Sequence, residues 1–149
     1  MNNNVIQQMD TPDTIYNRPL NTFIGKFIGS PSMNIVDLPL EGDKLCMGDA
    51  RVAVPSRWME RIGSRTVVKF GIRPEHIELS DQSGDAPCRI SYVENQGNRK
   101  CISFLIGGDT YFMMTDADFE THDRMWLRIN WKRAHFFDTD TERNLGYPD

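Results

Sequence analysis

Long apolar runs are missing from these 149 residues. No stretch approaches the ~20 residues that cross a bilayer, and no charged segment followed by an apolar one opens the chain, so a soluble chain is expected. Cysteine is scarce: Cys46, Cys88 and Cys101 are odd in number, far apart and without CxxC or CxxH spacing. That excludes the common zinc and redox frameworks and predicts a reducing, cytoplasmic setting. His76, His122 and His135 have no i, i+4 partner, so no metal is expected, and no Ser or Cys stands in a nucleophile elbow or triad signature. No catalytic residue and no cofactor is therefore assigned. Positive charge is in deficit, with 17 Lys plus Arg against 21 Asp plus Glu and a net charge of −4. Such a chain on average repels phosphate backbones, which argues against a nucleic-acid partner.

Acidic triplets are present but incomplete as metal loops. Asp116-x-Asp118-x-Glu120 would need glycine at its sixth position and glutamate at its twelfth, where Thr121 and Leu127 stand. Asp138-x-Asp140-x-Glu142 has Arg143 and Asp149 there. Both are predicted to be solvated acidic turns.

The first third of the chain carries helical signals. Thr11 can cap and Pro12 can open a short helix through Ile15 and Tyr16, and Asn21 can cap a second with Phe23, Ile24, Phe27 and Ile28 along one face. From Met33 onward the period becomes two, with runs at 33–40, 44–54, 66–72, 75–79, 88–95, 100–107, 110–115, 125–131 and 134–138 read as strands. In 125–131, Met125, Leu127, Ile129 and Trp131 would face the core. Trp58, Met59 and Ile62 place one short helix at 55–62. Many short strands with Gly, Pro, Asn and Asp between them predict a small barrel or sandwich. The three tryptophans, Trp58, Trp126 and Trp131, are expected in the core or at a dimer contact, because no Lys/Arg groove accompanies them along the sequence.

Four blocks carry a family resemblance. Residues 5–34, VIQQMDTPDTIYNRPLNTFIGKFIGSPSMN, resemble the end of the nucleotide-binding domain in ATP-binding subunits of carbohydrate-type ABC importers, the maltose and glycerol-3-phosphate group. Gly71-Ile72-Arg73-Pro74-Glu75-His76-Ile77 resembles the GIRPEHI hallmark of the regulatory TOBE region that follows in those subunits. Val93-Glu94-x-x-Gly97 resembles their VExxG, and Phe137-Asp138-x-x-Thr141 their closing FDxxTG. Three departures stand out. Asp10 replaces the glycine before Thr-Pro, Glu142 replaces the glycine of the last turn and predicts a wider hairpin, and the sequence starts where the family's catalytic domain is nearly finished. Neither GxxxxGK[ST] nor an Asp-Glu dipeptide occurs, and Leu79-Ser80-Asp81-Gln82-Ser83-Gly84 lacks the paired glycines of an LSGGQ signature, so ATP hydrolysis by these residues is not expected.

The resemblance implies a mainly β fold: an OB-like (TOBE) barrel at 34–146, preceded by a short α-helical arm at 1–33 that is the tail of a nucleotide-binding domain. It implies a regulatory and dimerisation module with an ABC ATPase core and permease subunits as partners in the parent complex, working at the inner face of the cell membrane. Apolar residues of the arm would pack on the barrel or on a second copy, giving a homodimer. Arg73, Glu75, His76, Glu94, Asn95 and Gly97 are the candidate ligand or regulatory residues, although Pro74 also suits a structural corner and Gly97 a turn. Two other readings stay open: a sensor whose barrel mouth near Arg73 and Glu94 takes a sugar or oxyanion, and an OB-fold nucleic-acid binder. The regulator, small molecule or protein, is left open too.

Overall fold

Two-residue turns, each led by glycine, set the architecture. The computed structural model describes residues 18–22 and 32–148. The predicted helices through Ile15 and through Phe23 lie outside them. β1 (Asn34–Glu41) turns into β2 (Lys44–Met47) at Gly42-Asp43, and β2 into β3 (Ala50–Ala53) at Gly48-Asp49. β6 (Ala86–Gln96) turns into β7 (Arg99–Ile106) at Gly97-Asn98, and β7 into β8 (Asp109–Asp116) at Gly107-Gly108. The leading glycines have φ of 62°, 59°, 69° and 60°. A glycine with positive φ at the first of two loop residues matches the right-handed twist of the flanking strands. The run 44–54, expected as one strand, is therefore a hairpin, because Gly48 reverses the chain. At Gly48 and Gly107 there is a second constraint: a Cβ on either would come within 3.0 Å of the other's backbone, so the two turns touch directly.

β4 (Val67–Ile72) and β10 (His135–Phe137) complete one five-stranded antiparallel sheet, in the order β10-β4-β1-β2-β3. β5 (Glu78–Ser80) and β9 (Arg124–Arg128) complete the other, in the order β5-β9-β6-β7-β8. The single described α-helix, α1 (Ser56–Ile62), follows Pro55 and buries Trp58 and Ile62. This is the mainly β, OB-like fold expected from the strand pattern and the resemblance. Among the described residues no helix is long and apolar enough to cross a membrane.

Pairing changes at marked positions. β1 pairs with β4 as far as Pro39 and with β2 from Leu40, so the residue that has no N–H falls where one ladder hands over to the next. In β6 the register shifts between Ile90 and Tyr92, after its pairing with β9 has ended at Arg89. Bulges of this kind bend a strand so that it can serve two partners. The two sheets are also joined by a side chain. Asn34, 7% exposed, receives the Phe112 N–H on Oδ1 at 2.9 Å and donates from Nδ2 to the Phe112 carbonyl at 2.9 Å and the Ile72 carbonyl at 3.1 Å. Its amide acts as one more peptide unit between β1 and β8.

Inward residues of both sheets form one core that includes Leu45, Phe70, Ile72, Phe104, Leu127 and Phe136, all fully buried. Each such side chain contributes about 1.5–3 kcal/mol relative to exposure in water. Met125, Leu127 and Ile129 are buried as predicted, but β9 stops at Arg128. The Asn130 carboxamide oxygen accepts from the Lys132 N–H at 3.1 Å and starts a 3-10 turn at Trp131–Arg133. Residues 75–79 are likewise split, into a 3-10 turn at Pro74–His76 and then β5.

The last turn is closed by backbone hydrogen bonds from the Glu142 N–H to the Asp138 carbonyl and from the Asp138 N–H to the Arg143 carbonyl, 2.9 Å each. Glu142 takes φ 61°, a left-handed geometry that favours glycine, while Asp138 Oδ1 accepts from the Asp140 and Thr141 N–H groups at 2.8 Å each. A left-handed φ costs an L-residue roughly 1–2 kcal/mol. Glu142→Gly is therefore expected to raise stability by about 0.5–1 kcal/mol in urea titrations; a decrease would show that the Glu142 side chain makes a compensating contribution. The Asp138 carboxylate is committed to this turn and to Arg65 Nε at 3.1 Å.

Candidate functional site

Five segments distant in the sequence meet around a cavity of about 290 Å³. Arg73 reaches it from the end of β4 and His76 from the 3-10 turn that Pro74 begins. Arg57 and Trp58 come from α1, and Trp131, Lys132 and Arg133 from the second 3-10 turn. His135 opens β10, Tyr147 and Pro148 belong to the C-terminal stretch, and Arg18 lies in the short described N-terminal piece. That piece is held by the C-terminal stretch: the Asn144 N–H donates to the Leu20 carbonyl at 2.7 Å, Asn144 Nδ2 to the Pro19 carbonyl at 2.6 Å, and the Thr22 N–H to the Glu142 carbonyl at 3.1 Å. The Arg18 guanidinium thereby sits 4.9 Å from the centre of the Tyr147 ring, a cation–π distance.

The apolar wall is an aromatic cluster. Trp58 lies 5.0 Å from Phe136 and 5.9 Å from Tyr147, ring centre to ring centre, and Trp131 stacks on Phe136 at 6.3 Å. Trp58 is 3% exposed and belongs to the core, as expected, yet it also lines the cavity.

The opposite character is positive. Arg18, Arg57, Arg73, Lys132 and Arg133 contribute five charges, and no described carboxylate lines the cavity. Arg73 is completely buried, and a guanidinium does not lose its proton at any ordinary pH. The histidines register the field. Burial, and then Arg73, His76 and Arg133, depress His135 to about 3. Burial, and then Arg133 and Arg73, lower His76 despite the nearby Glu75 carboxylate. His135 is thus a neutral imidazole near pH 7. Tyr147 Oη, which receives Asn144 Nδ2 at 2.7 Å, also shares a hydrogen bond of 2.6 Å with His135 Nδ1. Burial pushes the Tyr147 hydroxyl up to about 12, against the opposing effects of Asn144, Arg18 and Arg73, so it stays protonated.

Of the six candidate residues, Arg73 and His76 line this cavity. Glu75 is exposed on the same 3-10 turn but is not part of the lining. Glu94, Asn95 and Gly97 are elsewhere, at the exposed end of the β6–β7 hairpin, where Glu94 pairs with Cys101, Asn95 with Lys100, and Gly97 leads the turn. Glu94 does not line the cavity that Arg73 lines. The expectation that no basic groove accompanies the tryptophans is also corrected, because Trp58 and Trp131 line a cavity with five cations. Those cations were missed because they come from positions 18, 57, 73, 132 and 133, and only the pair Lys132-Arg133 is a local signal.

Comparison with known proteins agrees with this fold. Residues 29–77 match the MalK OB fold domain. The chain is 32% identical over 154 residues to the oligosaccharides import ATP-binding protein MsmX of Bacillus subtilis, covering 95% of this chain and 42% of that protein. It is 30% identical over 151 residues to the sn-glycerol-3-phosphate import ATP-binding protein UgpC of Chromobacterium violaceum, covering 97% and 40%. An uncharacterised ABC transporter ATP-binding protein, YcjV, of Escherichia coli O157:H7 is 28% identical over 149 residues, covering 95% and 41%. The chain spans about two fifths of the length of these relatives, and the matching portion is their C-terminal part.

Proposed function

We propose that this chain, an OB-fold module of the kind carried in the C-terminal part of sugar-type ABC importer ATP-binding subunits, serves assembly and regulation: it pairs with a second copy, presents a surface to regulators and hydrolyses no ATP of its own. Residues 34–146 are the module and residues 1–33 the tail of a nucleotide-binding domain. ABC ATPase core and permease subunits are its partners in the parent complex, at the inner face of the cell membrane.

The observation that carries the pairing is an apolar outer face on the second sheet. Tyr92 of β6 stands opposite Ser103 of β7, which stands opposite Phe112 of β8, so all three share one face, with Leu105 two residues along β7. Tyr92 is 55%, Phe112 45% and Leu105 36% exposed, while the alternate residues Ile102, Phe104, Tyr111 and Met113 fill the core. A row of large apolar side chains on a wet sheet face supports self-association, which a two-fold axis would satisfy with the same patch on both copies.

Sedimentation velocity of the purified chain is expected to show a dimer that Tyr92→Asp together with Phe112→Asp converts to a monomer, at least a tenfold loss of affinity, with the circular dichroism unchanged. A wild-type monomer at concentrations up to about 100 µM would refute pairing, and ATP turnover by the pure chain would refute the non-catalytic reading.

A further inference from the structure

We propose that the cavity between α1, the two 3-10 turns and the C-terminal stretch is a binding site for a small organic oxyanion of the phosphate-monoester class, its charged end held by the arginines and its uncharged body lying against the tryptophans. This goes beyond the assembly role, and an isolated module can bind such a ligand whether or not it pairs.

The charge distribution is the first support. A chain with net charge −4 concentrates five of its 17 Lys and Arg residues around one cavity. Three cations outside the cavity have a carboxylate partner: Arg51 pairs with Glu41 at 2.9 Å, Lys69 with Asp37 at 2.8 Å and Arg65 with Asp138 at 3.1 Å. Among the described residues, no carboxylate forms an ion pair with Arg57, Lys132 or Arg133. Concentrated like charge in a concave, partly apolar site raises the local concentration of anions. Guanidinium forks match the paired oxygens of a phosphoryl group, and several together favour a doubly charged ligand over a single carboxylate.

Shape is the second support. Small-molecule sites are concave, have aromatic and apolar walls and carry a few convergent polar groups. Trp58, Trp131 and Tyr147 supply the wall, and at about 290 Å³ the space suits a ligand of few carbons. A flat basic face would suit an acidic macromolecule equally well, but a concave pocket with indole walls favours the small ligand. The imidazoles of His76 and His135 add neutral hydrogen-bonding groups rather than further charge.

Isothermal calorimetry on the 149-residue chain tests this with glucose 6-phosphate, inorganic phosphate, glucose and a single-stranded oligonucleotide as probes. Glucose 6-phosphate is expected to bind with Kd on the order of 10–500 µM, inorganic phosphate more weakly, and glucose not detectably. Replacing Lys132→Gln and Arg133→Gln together, both exposed, should weaken glucose 6-phosphate about tenfold or more while the melting curve stays unchanged. No heat with glucose 6-phosphate up to about 5 mM, equal binding of glucose, or an unchanged affinity in the double variant would each overturn the assignment. Oligonucleotide binding without phosphate-ester binding would overturn it in favour of a nucleic-acid surface.

Discussion

Phe136→Ala is expected to cost about 3–5 kcal/mol of stability, the range for emptying a fully buried aromatic position. Phe136 is 0% exposed and is the ring on which others converge: Trp58 at 5.0 Å, Phe70 at 5.5 Å and Trp131 at 6.3 Å. Those neighbours belong to α1, β4 and the 3-10 turn after β9, so they cannot all close on the vacated space without shifting their backbones. Part of the cost is lost transfer energy and part is the residual cavity, because packed interiors relax only partly. The same substitution has a second consequence, since Trp58 and Trp131 are walls of the basic cavity and would lose their common support. Urea unfolding measures the first effect, with Phe112→Ala as control. At 45% exposure, Phe112 should give a far smaller change. A loss below about 1 kcal/mol for Phe136→Ala would mean that the aromatic cluster is looser than these ring distances imply.

Acidification from pH 7 to pH 5 is expected to remove about 2 kcal/mol through His135 alone. The sign follows from proton counting. An unfolded chain titrates this residue near 6.5, whereas burial beside Arg73, His76 and Arg133 sets it at about 3 in the folded protein. Between those values the unfolded state holds the proton and the folded state does not, so stability is complete above pH 6.5 and declines as pH falls toward 3. His76, also lowered, acts in the same direction. Asp138, depressed to about 2 first by the Thr141 and Asp140 N–H groups and then by Arg65, also favours the folded state only at the higher pH, but its window lies below 3.8. A loss that begins near pH 6 is therefore the histidine signature. Urea titrations at pH 7, 6 and 5 should show it, and His135→Asn should flatten most of the slope whatever it does to the absolute stability. A wild-type stability that does not change from pH 7 to 5 would contradict a neutral, buried His135.

The β segments were legible because period-two alternation and glycine-marked turns are local. Leu127 and Ile129 are buried, and the 97–98 reversal lies where the sequence places Gly97. Where the strands depart from that alternation, a local competitor wins: positive φ at Gly48 breaks the run at 44–54, and the Asn130 carboxamide ends the run at 125–131 by starting a turn. The site was legible only where its residues are contiguous. Arg73 and His76 sit in one heptapeptide, and Pro74 does set the corner that delivers them. Arg18, Arg57 and Lys132 reach the same cavity only after the C-terminal stretch folds back and α1 docks, which no spacing rule reports. Glu94 and Asn95 share a sequence block with a real structural glycine but face a different part of the molecule.

Four hairpins pinched to two residues leave no slack to lengthen. An insertion at Gly42, Gly48, Gly97 or Gly107 would have to rebuild a strand register, and at Gly48 and Gly107 it would also have to separate two backbones in contact. Added length is better accommodated in the connections at 81–85 and 117–123, which are not two-residue hairpins. Neither of them lines the basic cavity, so the scaffold can lengthen there without altering what that cavity can hold.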